Sequence, residues 1–355
     1  MKIYTITCSR AYNYGAVLQT YALKEYLVSI NNDVFVIDYK PPYLRKIQEK
    51  YRKNYVLRAI RRIIYFPDYF KSKKIFNEFL EGNIHTTSLC ESLEDIEKLD
   101  KADIYIAGSD QIWNPILENG RDDSYFLNFS FPVRKIAYAA SIGVNYLPEA
   151  QKRRYKNLLA DFELITVRER TAVEILSHLG ISAYGVMDPV FFLSSEDWEK
   201  LEINMYLKDS YVLVYALHHI QEIYNYAKQL ADELNCKVYI ISVEYKEKRR
   251  GNDKFFWNPK VGQYLKLIHN AEAVVTNSFH GIAFSIIYNK PIHIFDTEKN
   301  DTRISDLVEC LSLEKRVIDQ NYKDIITNDF SYKNINKNLN SLIKESKDLL
   351  LSILK

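Results

Sequence analysis

The feature that most constrains the fold of this chain is a regular alternation of short apolar runs with longer amphipathic segments. The runs have the length of buried strands, and apolar residues in the segments between them recur every three to four positions, as on a helix. A strand, a helix and a second strand form the unit of a parallel sheet, so the pattern predicts an α/β fold. The predicted strands are 2–7, 34–39, 103–107, 135–140, 164–167, 211–217, 237–242, 271–276 and 292–295.

The length of 355 residues indicates two domains, because single domains usually hold roughly 100–200 residues. We predict two Rossmann-like domains that face a cleft. The first covers 1–190 and carries a helical insertion at 44–80, and the second covers 191–332. Residues 243–259 are predicted as a charged loop, and residues 333–355 as a helix that packs back on the N-terminal domain. Ligands of such sheets bind beyond the carboxyl ends of the strands, so the candidate residues are sought in those loops.

Composition and cysteine spacing argue against several classes of protein. There are 48 Lys+Arg and 46 Asp+Glu, so the net charge is only +2, and no nucleic-acid partner is expected. No apolar run approaches the roughly 18–20 residues that span a bilayer. The first ten residues are too polar for a signal peptide, and the four cysteines form no CxxC pair. We therefore expect a cytoplasmic protein with reduced thiols and without a metal site.

The charge is distributed unevenly along the chain. Residues 45–74 contain eleven basic and two acidic residues, which is +9, and the rest of the chain carries −7. On a helix this segment would be cationic and amphipathic. It is either a solvated helix face or a contact with an anionic membrane surface or an acceptor that bears pyrophosphate.

Two loops of the N-terminal domain carry candidate binding groups. The loop after the first strand supplies Asn13, Gly15 and Gln19. A glycine there permits close approach of a ligand, and the helix start behind it attracts anions, although the spacing is not that of a dinucleotide site. The loop after strand 103–107 supplies Ser109, Asp110 and Trp113, and a tryptophan face can stack on a sugar. The alternatives are a plain turn before a helix and a core tryptophan.

Cations and histidines at later strand ends form the second group of candidates. Arg168 and Arg170 flank a helix start, where two basic residues favour a bound anion, unless they pair with neighbouring glutamates. His280 stands at a strand-to-helix junction and can act as an acid or base near neutral pH, or simply pack there. The remaining candidates for binding are Asn277, Ser278, His218, Lys299 and Arg303. His218 could bind a phosphate or serve only as a helix cap or packing residue, and Lys299 and Arg303 could instead belong to a solvated charged loop.

Six segments, taken in order, resemble the polysaccharide pyruvyl transferase family. They are NYGAVLQTYAL at 13–23, AGSDQIWN at 107–114, AASIG at 139–143, VRER at 167–170, MDPVF at 187–191 and NSFHG at 277–281. The resemblance covers about residues 1–310. It implies two domains arranged as in GT-B glycosyltransferases, and transfer of the enolpyruvyl unit of phosphoenolpyruvate to a sugar as a cyclic ketal.

The resemblance also implies roles for individual residues. His280 corresponds to the family's acid and Arg168 to an arginine that holds charge, while Asp110 is a candidate base or acceptor-binding group. Many members carry an arginine two residues before the histidine, where this chain has Ser278. We expect Arg303, Lys299 or Arg170 to supply the missing cation.

The same resemblance sets the expected partners. Phosphoenolpyruvate serves as co-substrate and no cofactor is expected. The acceptor is a cell-surface polysaccharide or its precursor, either free or linked to polyprenyl pyrophosphate. In that case segment 45–74 would hold the enzyme at the inner face of the cytoplasmic membrane.

Two other functions remain open from the sequence. A nucleotide-sugar glycosyltransferase of the same architecture usually holds the ribose with a carboxylate in the helix after the His-Gly turn, and residues 281–290 contain none. A non-catalytic carbohydrate-binding protein would need neither the arginine pair nor a histidine at the mouth of the cleft.

Overall fold

The computed structural model describes residues 1–46, 55–217, 220–248, 253–295, 302–318 and 331–354, and within helices it gives no side chains for 45–46, 55–66 and 220. The N-terminal sheet has seven parallel strands in the order β3-β2-β1-β4-β5-β6-β7. Their bounds are β1 Lys2–Ile6, β2 Asp33–Tyr39, β3 Thr86–Cys90, β4 Ile104–Ala107, β5 Lys135–Ala140, β6 Leu164–Val167 and β7 Tyr184–Gly185.

The C-terminal sheet has six parallel strands in the described residues, in the order β10-β9-β8-β11-β12-β13. Their bounds are β8 Tyr211–Tyr215, β9 Lys237–Ser242, β10 Lys254–Trp257, β11 Ala273–Thr276, β12 Ile292–Phe295 and β13 Val317–Ile318. Every residue of the central strands β4, β5, β8 and β11 is buried, which is the rule for parallel sheets covered on both faces.

Helices cover both sheets. Their bounds are α1 Tyr14–Ser29, α2 Tyr43–Lys46, α3 Tyr55–Asn83, α4 Leu93–Glu97, α5 Glu149–Leu159, α6 Arg170–His178, α7 Ser195–Glu199, α8 Ile220–Glu233, α9 Val261–His269, α10 Phe279–Ile287, α11 Thr302–Leu311 and α12 Lys333–Ile353. Among the described residues, none of these helices combines the length and apolar character that crossing a membrane requires.

The two sheets meet across a cleft at their points of reversed strand order. In the N-terminal sheet this point lies between β1 and β4, and in the C-terminal sheet between β8 and β11. In folds of this kind the loops that follow the strands diverge at this point, and the crevice between them is the usual ligand position. Helix α1 meets the second domain directly: the Tyr14 ring stacks on Tyr264 with centroids 4.3 Å apart, and its hydroxyl donates to the Pro259 carbonyl at 2.6 Å.

Helix α12 contacts both domains. Near its start, Ile335 and Leu339 are buried in the same apolar core as the residues of α10. Near its end, Leu350 is buried among side chains of the N-terminal sheet, and the Ser346 hydroxyl accepts from the Met187 backbone N–H at 3.0 Å. Arg134, which precedes β5, also donates to the carbonyl of Ile353 at 3.0 Å.

The structure differs from the predicted elements mainly at the sheet edges. Residues 254–257, predicted within a charged loop, form β10, because its backbone pairs with β9 while Lys254 stays in solvent. The edge strands β3, β7 and β13, and helix α11, were also absent from the predicted set. Edge strands bury only part of their side chains and lack the continuous apolar run that marks a central strand.

Candidate functional site

The candidate site lies where five segments converge at the cleft. Three of them follow strands β4, β6 and β11, one lies between β7 and α7, and one is the start of α1. The ends of β4 and β11 and the start of α1, which follows β1, all lie at the two points where the strand order reverses. The site is therefore a consequence of topology, since residues far apart in sequence reach one place by leaving neighbouring parallel strands.

Arg168, directly after β6, is the buried cation of the site. Its side chain is only 2% exposed, and its Nη1 donates to Asp188 Oδ2 at 2.7 Å. Its Nη2 lies 3.6 Å from Asp110 Oδ1, which is an ion-pair distance but longer than a hydrogen bond. The guanidinium lies 4.6 Å from the centre of the Phe279 ring. A charge at this depth requires such partners, because removing it from water is costly.

Asp188 is the carboxylate on which these contacts converge. Its Oδ1 accepts from the Val190 N–H at 3.0 Å and fixes the turn at the following proline. The Ser109 hydroxyl lies 3.0 Å from Asp188 Oδ2 and also 3.0 Å from the Ala139 carbonyl. Its single proton can serve only one acceptor at a time. Asp188 therefore ties the loop after β4 to the loop after β6.

His280 is the second residue of α10 and completes the cluster. Its Nε2 lies 3.9 Å from Asp188 Oδ2. Burial lowers the pKa of His280 to about 4; Asp188 and Asp110 act to raise this pKa, whereas Arg168 and Arg303 lower it. The imidazole is therefore neutral at neutral pH in the unliganded protein.

Gly15 at the start of α1 makes room for that imidazole. A Cβ built on Gly15 would lie 2.0 Å from His280 Nδ1. Two helix starts meet here: Asn13 Oδ1 accepts from the Gly15 N–H at 2.8 Å at the start of α1, and Ser278 Oγ accepts from the Gly281 N–H at 3.4 Å at the start of α10. Both helix starts are electropositive and favour an anion beside the ring.

Asp110 faces Nη2 of Arg168, whereas Asp188 faces Nη1. The backbone of Asp110 has a positive φ of 76°. Burial acts to raise the pKa of Asp110, but the charge of Arg168, together with that of Arg303, outweighs it and holds the pKa below its usual range. The Gln111 N–H also donates to Asp110 Oδ1 at 2.8 Å. Asp110 is therefore an ionised carboxylate.

Arg303 reaches this cluster from α11 of the second domain. With the Gln111 carboxamide turned so that its oxygen faces the guanidinium, that oxygen lies 2.6–2.9 Å from the nitrogens of Arg303. One turn further along α11, Asp306 Oδ2 accepts from the Thr171 N–H at 3.2 Å and from its hydroxyl at 3.3 Å. Helix α11 is thus held against the first domain at two points.

Several buried polar atoms of the cluster have no hydrogen-bond partner among the residues that the structure describes. They are Arg168 Nε and Nη2, Glu169 Oε2 and His280 Nε2. The other Glu169 oxygen accepts from the Ser141 hydroxyl, and burial raises the pKa of Glu169 despite the nearby Arg168 charge. Buried polar groups are paired in more than about 90% of cases, so four exceptions in one cluster mark a place where a water molecule or a polar ligand would complete the hydrogen bonds.

The structure brings most of the predicted site residues into this cluster. They are Asn13, Gly15, Ser109, Asp110, Arg168, Ser278, His280 and Arg303. Gln19 supports it from behind: its Nε2 donates to Thr7 Oγ1 at 2.9 Å, and that hydroxyl donates to the Ser109 carbonyl at 2.7 Å. Asn277 Oδ1 accepts from the Leu217 N–H at 2.8 Å and shapes the loop after β8. His218 and Lys299 lie outside the described residues.

Two predicted binding residues do not face the cleft. Trp113 is 0% exposed, its Nε1 donates to the Tyr125 carbonyl at 3.0 Å, and its ring stacks on Phe126. Trp113 is therefore a core residue and offers no face to a sugar. The Arg170 side chain is 72% exposed and pairs with Glu174 at 3.4 Å and Glu309 at 3.5 Å. Arg170 therefore points into solvent and is not the missing cation of the site.

The prediction for the basic segment 45–74 falls largely outside the described residues and side chains. In its described part, Lys71 donates to the Trp257 carbonyl at 2.6 Å and lies 4.1 Å from the centre of that ring. This lysine joins α3 to the edge strand β10.

Sequence reasoning missed Asp188, Glu169, Gln111 and Phe279 as members of the site. Asp188 follows the two-residue strand β7, which is too short to give a strand signal. Glu169 and Phe279 were identified only as neighbours of Arg168 and His280. A carboxylate immediately before a proline, in a chain with a buried arginine, is the one signal that could have indicated Asp188.

Comparisons with known proteins agree with this arrangement. A family model described as "Polysaccharide pyruvyl transferase" matches residues 13–299. No curated protein matches the chain.

Among solved structures, the chain is similar to UDP-GlcNAc 2-epimerase from Methanocaldococcus jannaschii in complex with UDP-GlcNAc and UDP. The two share 15% identity with a TM-score of 0.54, and the match covers 100% of this chain and 99% of that one. The Neisseria meningitidis UDP-GlcNAc 2-epimerase bound to UDP-GlcNAc gives 12% identity, a TM-score of 0.53 and coverages of 100% and 99%. At such identities the likeness shows the fold, two α/β domains in a GT-B-like architecture.

Proposed function

Because the chain belongs to the polysaccharide pyruvyl transferase family, we propose that it transfers the enolpyruvyl group of phosphoenolpyruvate to a sugar of a cell-surface polysaccharide or its precursor. The product is a pyruvate ketal, and phosphate is released. The observation that supports this most directly is the buried cluster around Arg168, where two guanidinium nitrogens and His280 Nε2 make no hydrogen bond within the described part of the chain.

The donor has two anionic groups, a carboxylate and a phosphate, and the cluster offers matching donors. Arg168 has Nε and Nη2 available, and an arginine binds either oxyanion in bidentate fashion. Arg303 approaches from the second domain, beside Gln111 and Asp110. We propose that Arg303 supplies the cation that many family members carry at the position of Ser278. The starts of α1 and α10 add favourable electrostatics for an anion at His280.

The reaction requires a defined exchange of protons. The donor C3 gains one proton and becomes a methyl group, while C2 acquires oxocarbenium character. One sugar hydroxyl adds to C2 and loses its proton, the bond from C2 to the phosphate oxygen breaks, and a second hydroxyl closes the ring. One acceptor proton replaces the one given to C3, and the other leaves with phosphate. We assign the proton donor to His280 and the carboxylate that receives or orients the acceptor hydroxyls to Asp110.

The test combines the purified protein with phosphoenolpyruvate and candidate glycans, while phosphate release and acceptor mass are followed. We expect a mass gain of one pyruvate ketal per modified sugar, and a rate at least about 100-fold lower for His280→Gln. Circular dichroism checks that the variant folds. No turnover with any acceptor, together with tight binding of a uridine nucleotide, would instead favour a nucleotide-sugar glycosyltransferase.

Arg303 and Arg170 provide a matched pair for the cation assignment. We expect Arg303→Ala to raise the KM for phosphoenolpyruvate by roughly 10-fold or more, because a charge-assisted hydrogen bond contributes about 1.5–3 kcal/mol. Arg170→Ala removes an arginine whose side chain is 72% exposed. It should leave the KM within about twofold of the wild-type value, since surface ion pairs contribute little. Initial rates at fixed acceptor concentration measure both. An unchanged KM for Arg303→Ala would remove Arg303 from the donor site.

A further inference from the structure

Asp188 lies between the two groups on which the proposed chemistry depends. Its Oδ2 accepts from Arg168 Nη1 at 2.7 Å and lies 3.9 Å from His280 Nε2. The first distance is a hydrogen bond, and the second is about 1 Å too long for one. No other described residue bonds to His280 Nε2, so a proton on this nitrogen would face the Asp188 carboxylate.

Charged groups approach His280 from four segments. Asp188 precedes the turn at Pro189, Arg168 follows β6, Asp110 follows β4 and Arg303 lies on α11. On the α1 side the ring meets Gly15. Two cations and two carboxylates surround a neutral ring in the empty site. The charges around the ring are balanced without a second proton on His280.

Binding of the donor would disturb this balance. Its carboxylate and phosphate bring several negative charges to Arg168, whose Nε and Nη2 remain available although Nη1 is held by Asp188. Added negative charge beside a histidine favours its protonated form, and the excluded water strengthens the effect. The protonated ring would then lie between the donor anion and Asp188.

Building on the proposed function, we propose that Asp188 is a positioning residue that accepts a hydrogen bond from His280 Nε2–H when the anionic donor binds. His280 is then protonated, and able to act as an acid, only in the site that holds the donor. Donor binding is then coupled to uptake of a proton by the protein. The empty site holds a neutral histidine and cannot protonate an enol ether. Asp188 provides the counter-charge that keeps the ring protonated, with Nε2–H directed at this carboxylate. The proton transferred to C3 is then the one on Nδ1, on the side of the ring that meets Gly15.

Isothermal titration calorimetry with phosphoenolpyruvate, in buffers of different ionisation enthalpy, measures this uptake directly. At pH 7.5 the phosphate of the ligand is largely ionised, because its second pKa is about 6. We expect the wild type to take up roughly 0.5 or more protons per donor above the value for His280→Gln, which shares the ligand's own contribution. Asp188→Asn keeps an oxygen for the Val190 N–H and should lose at least half of this difference.

His293→Gln is the matched control, since His293 is also buried and its pKa is lowered to about 3, but it bonds to the Tyr226 hydroxyl away from the cleft. This variant should show the wild-type uptake. Equal uptake in wild type and His280→Gln would overturn the inference even if Asp188→Asn does not fold. Wild-type uptake in a folded Asp188→Asn would overturn the role of Asp188. Absence of any binding heat would instead overturn the proposed donor, and the coupling with it.

Discussion

Replacing Arg168 by methionine is expected to destabilise the protein by about 3–5 kcal/mol and to abolish binding of phosphoenolpyruvate. Methionine has a similar length, so the change removes the charge and leaves most of the volume. Asp188, whose side chain is 0% exposed, would then remain as a buried carboxylate without its cation. The donor would lose Arg168 Nε and Nη2, which make no hydrogen bond to any described residue. Urea unfolding measures the first effect, and calorimetry with phosphoenolpyruvate measures the second.

A double variant separates the structural effect of Arg168 from its binding effect. Arg168→Met combined with Asp188→Asn removes both charges of the pair and should recover at least half of the lost stability, because the neutral amide costs less to bury than an unpaired carboxylate. Donor binding should remain absent. Wild-type affinity in this stable double variant would show that Arg168 acts only as the partner of Asp188.

The second large effect is expected at Gly15, through a single methyl group. In Gly15→Ala the new Cβ would lie 2.0 Å from His280 Nδ1, so the imidazole or the start of α1 must move by more than 1 Å. A displacement of that size at a catalytic group can lower the rate by about 100-fold. We expect a loss of kcat of this order, measured by phosphate release at saturating phosphoenolpyruvate and acceptor.

Gly82 offers the same substitution without the clash. It lies near the end of α3, and a Cβ there meets nothing within 4 Å. Gly82→Ala should leave kcat within about twofold and raise stability slightly, since alanine is favoured over glycine in a helix by up to about 1 kcal/mol. If Gly15→Ala and Gly82→Ala were equally active, the contact between Gly15 and His280 would not position the acid.

The sequence predicts those parts of the fold where burial leaves a continuous apolar signal. The strands β4, β5, β8 and β11 are buried on both faces, and their runs of apolar residues mark them clearly. The same reasoning placed Arg168 directly after a strand and His280 at a strand-to-helix junction, and the structure has Arg168 directly after β6 and His280 in the first turn of α10. Position along a parallel sheet is thus readable from periodicity and topology rules alone.

Side-chain direction is what periodicity could not supply. Arg168 and Arg170 are two residues apart and equally basic, yet one is buried against Asp188 and the other is in solvent beside Glu309. Trp113 follows a strand end like Ser109, but its ring turns into the core beneath Phe126. Arg303 reaches the site only because α11 packs on the first domain, a contact between segments more than a hundred residues apart.

Helix α12 has a consequence for how the cleft opens. Its 21 residues span about 30 Å, and it is packed on the second domain near its start and on the first domain near its end. A rigid rod attached at both ends cannot lengthen, so pulling the two domains straight apart would require stripping apolar side chains from one of them. A relative movement of the two domains therefore requires α12 to turn against one of them, and the Tyr14–Tyr264 stack would have to separate as well. Such a movement would separate Arg303 from Gln111 while leaving Asp188 and Arg168, which belong to the same side of the cleft, in contact.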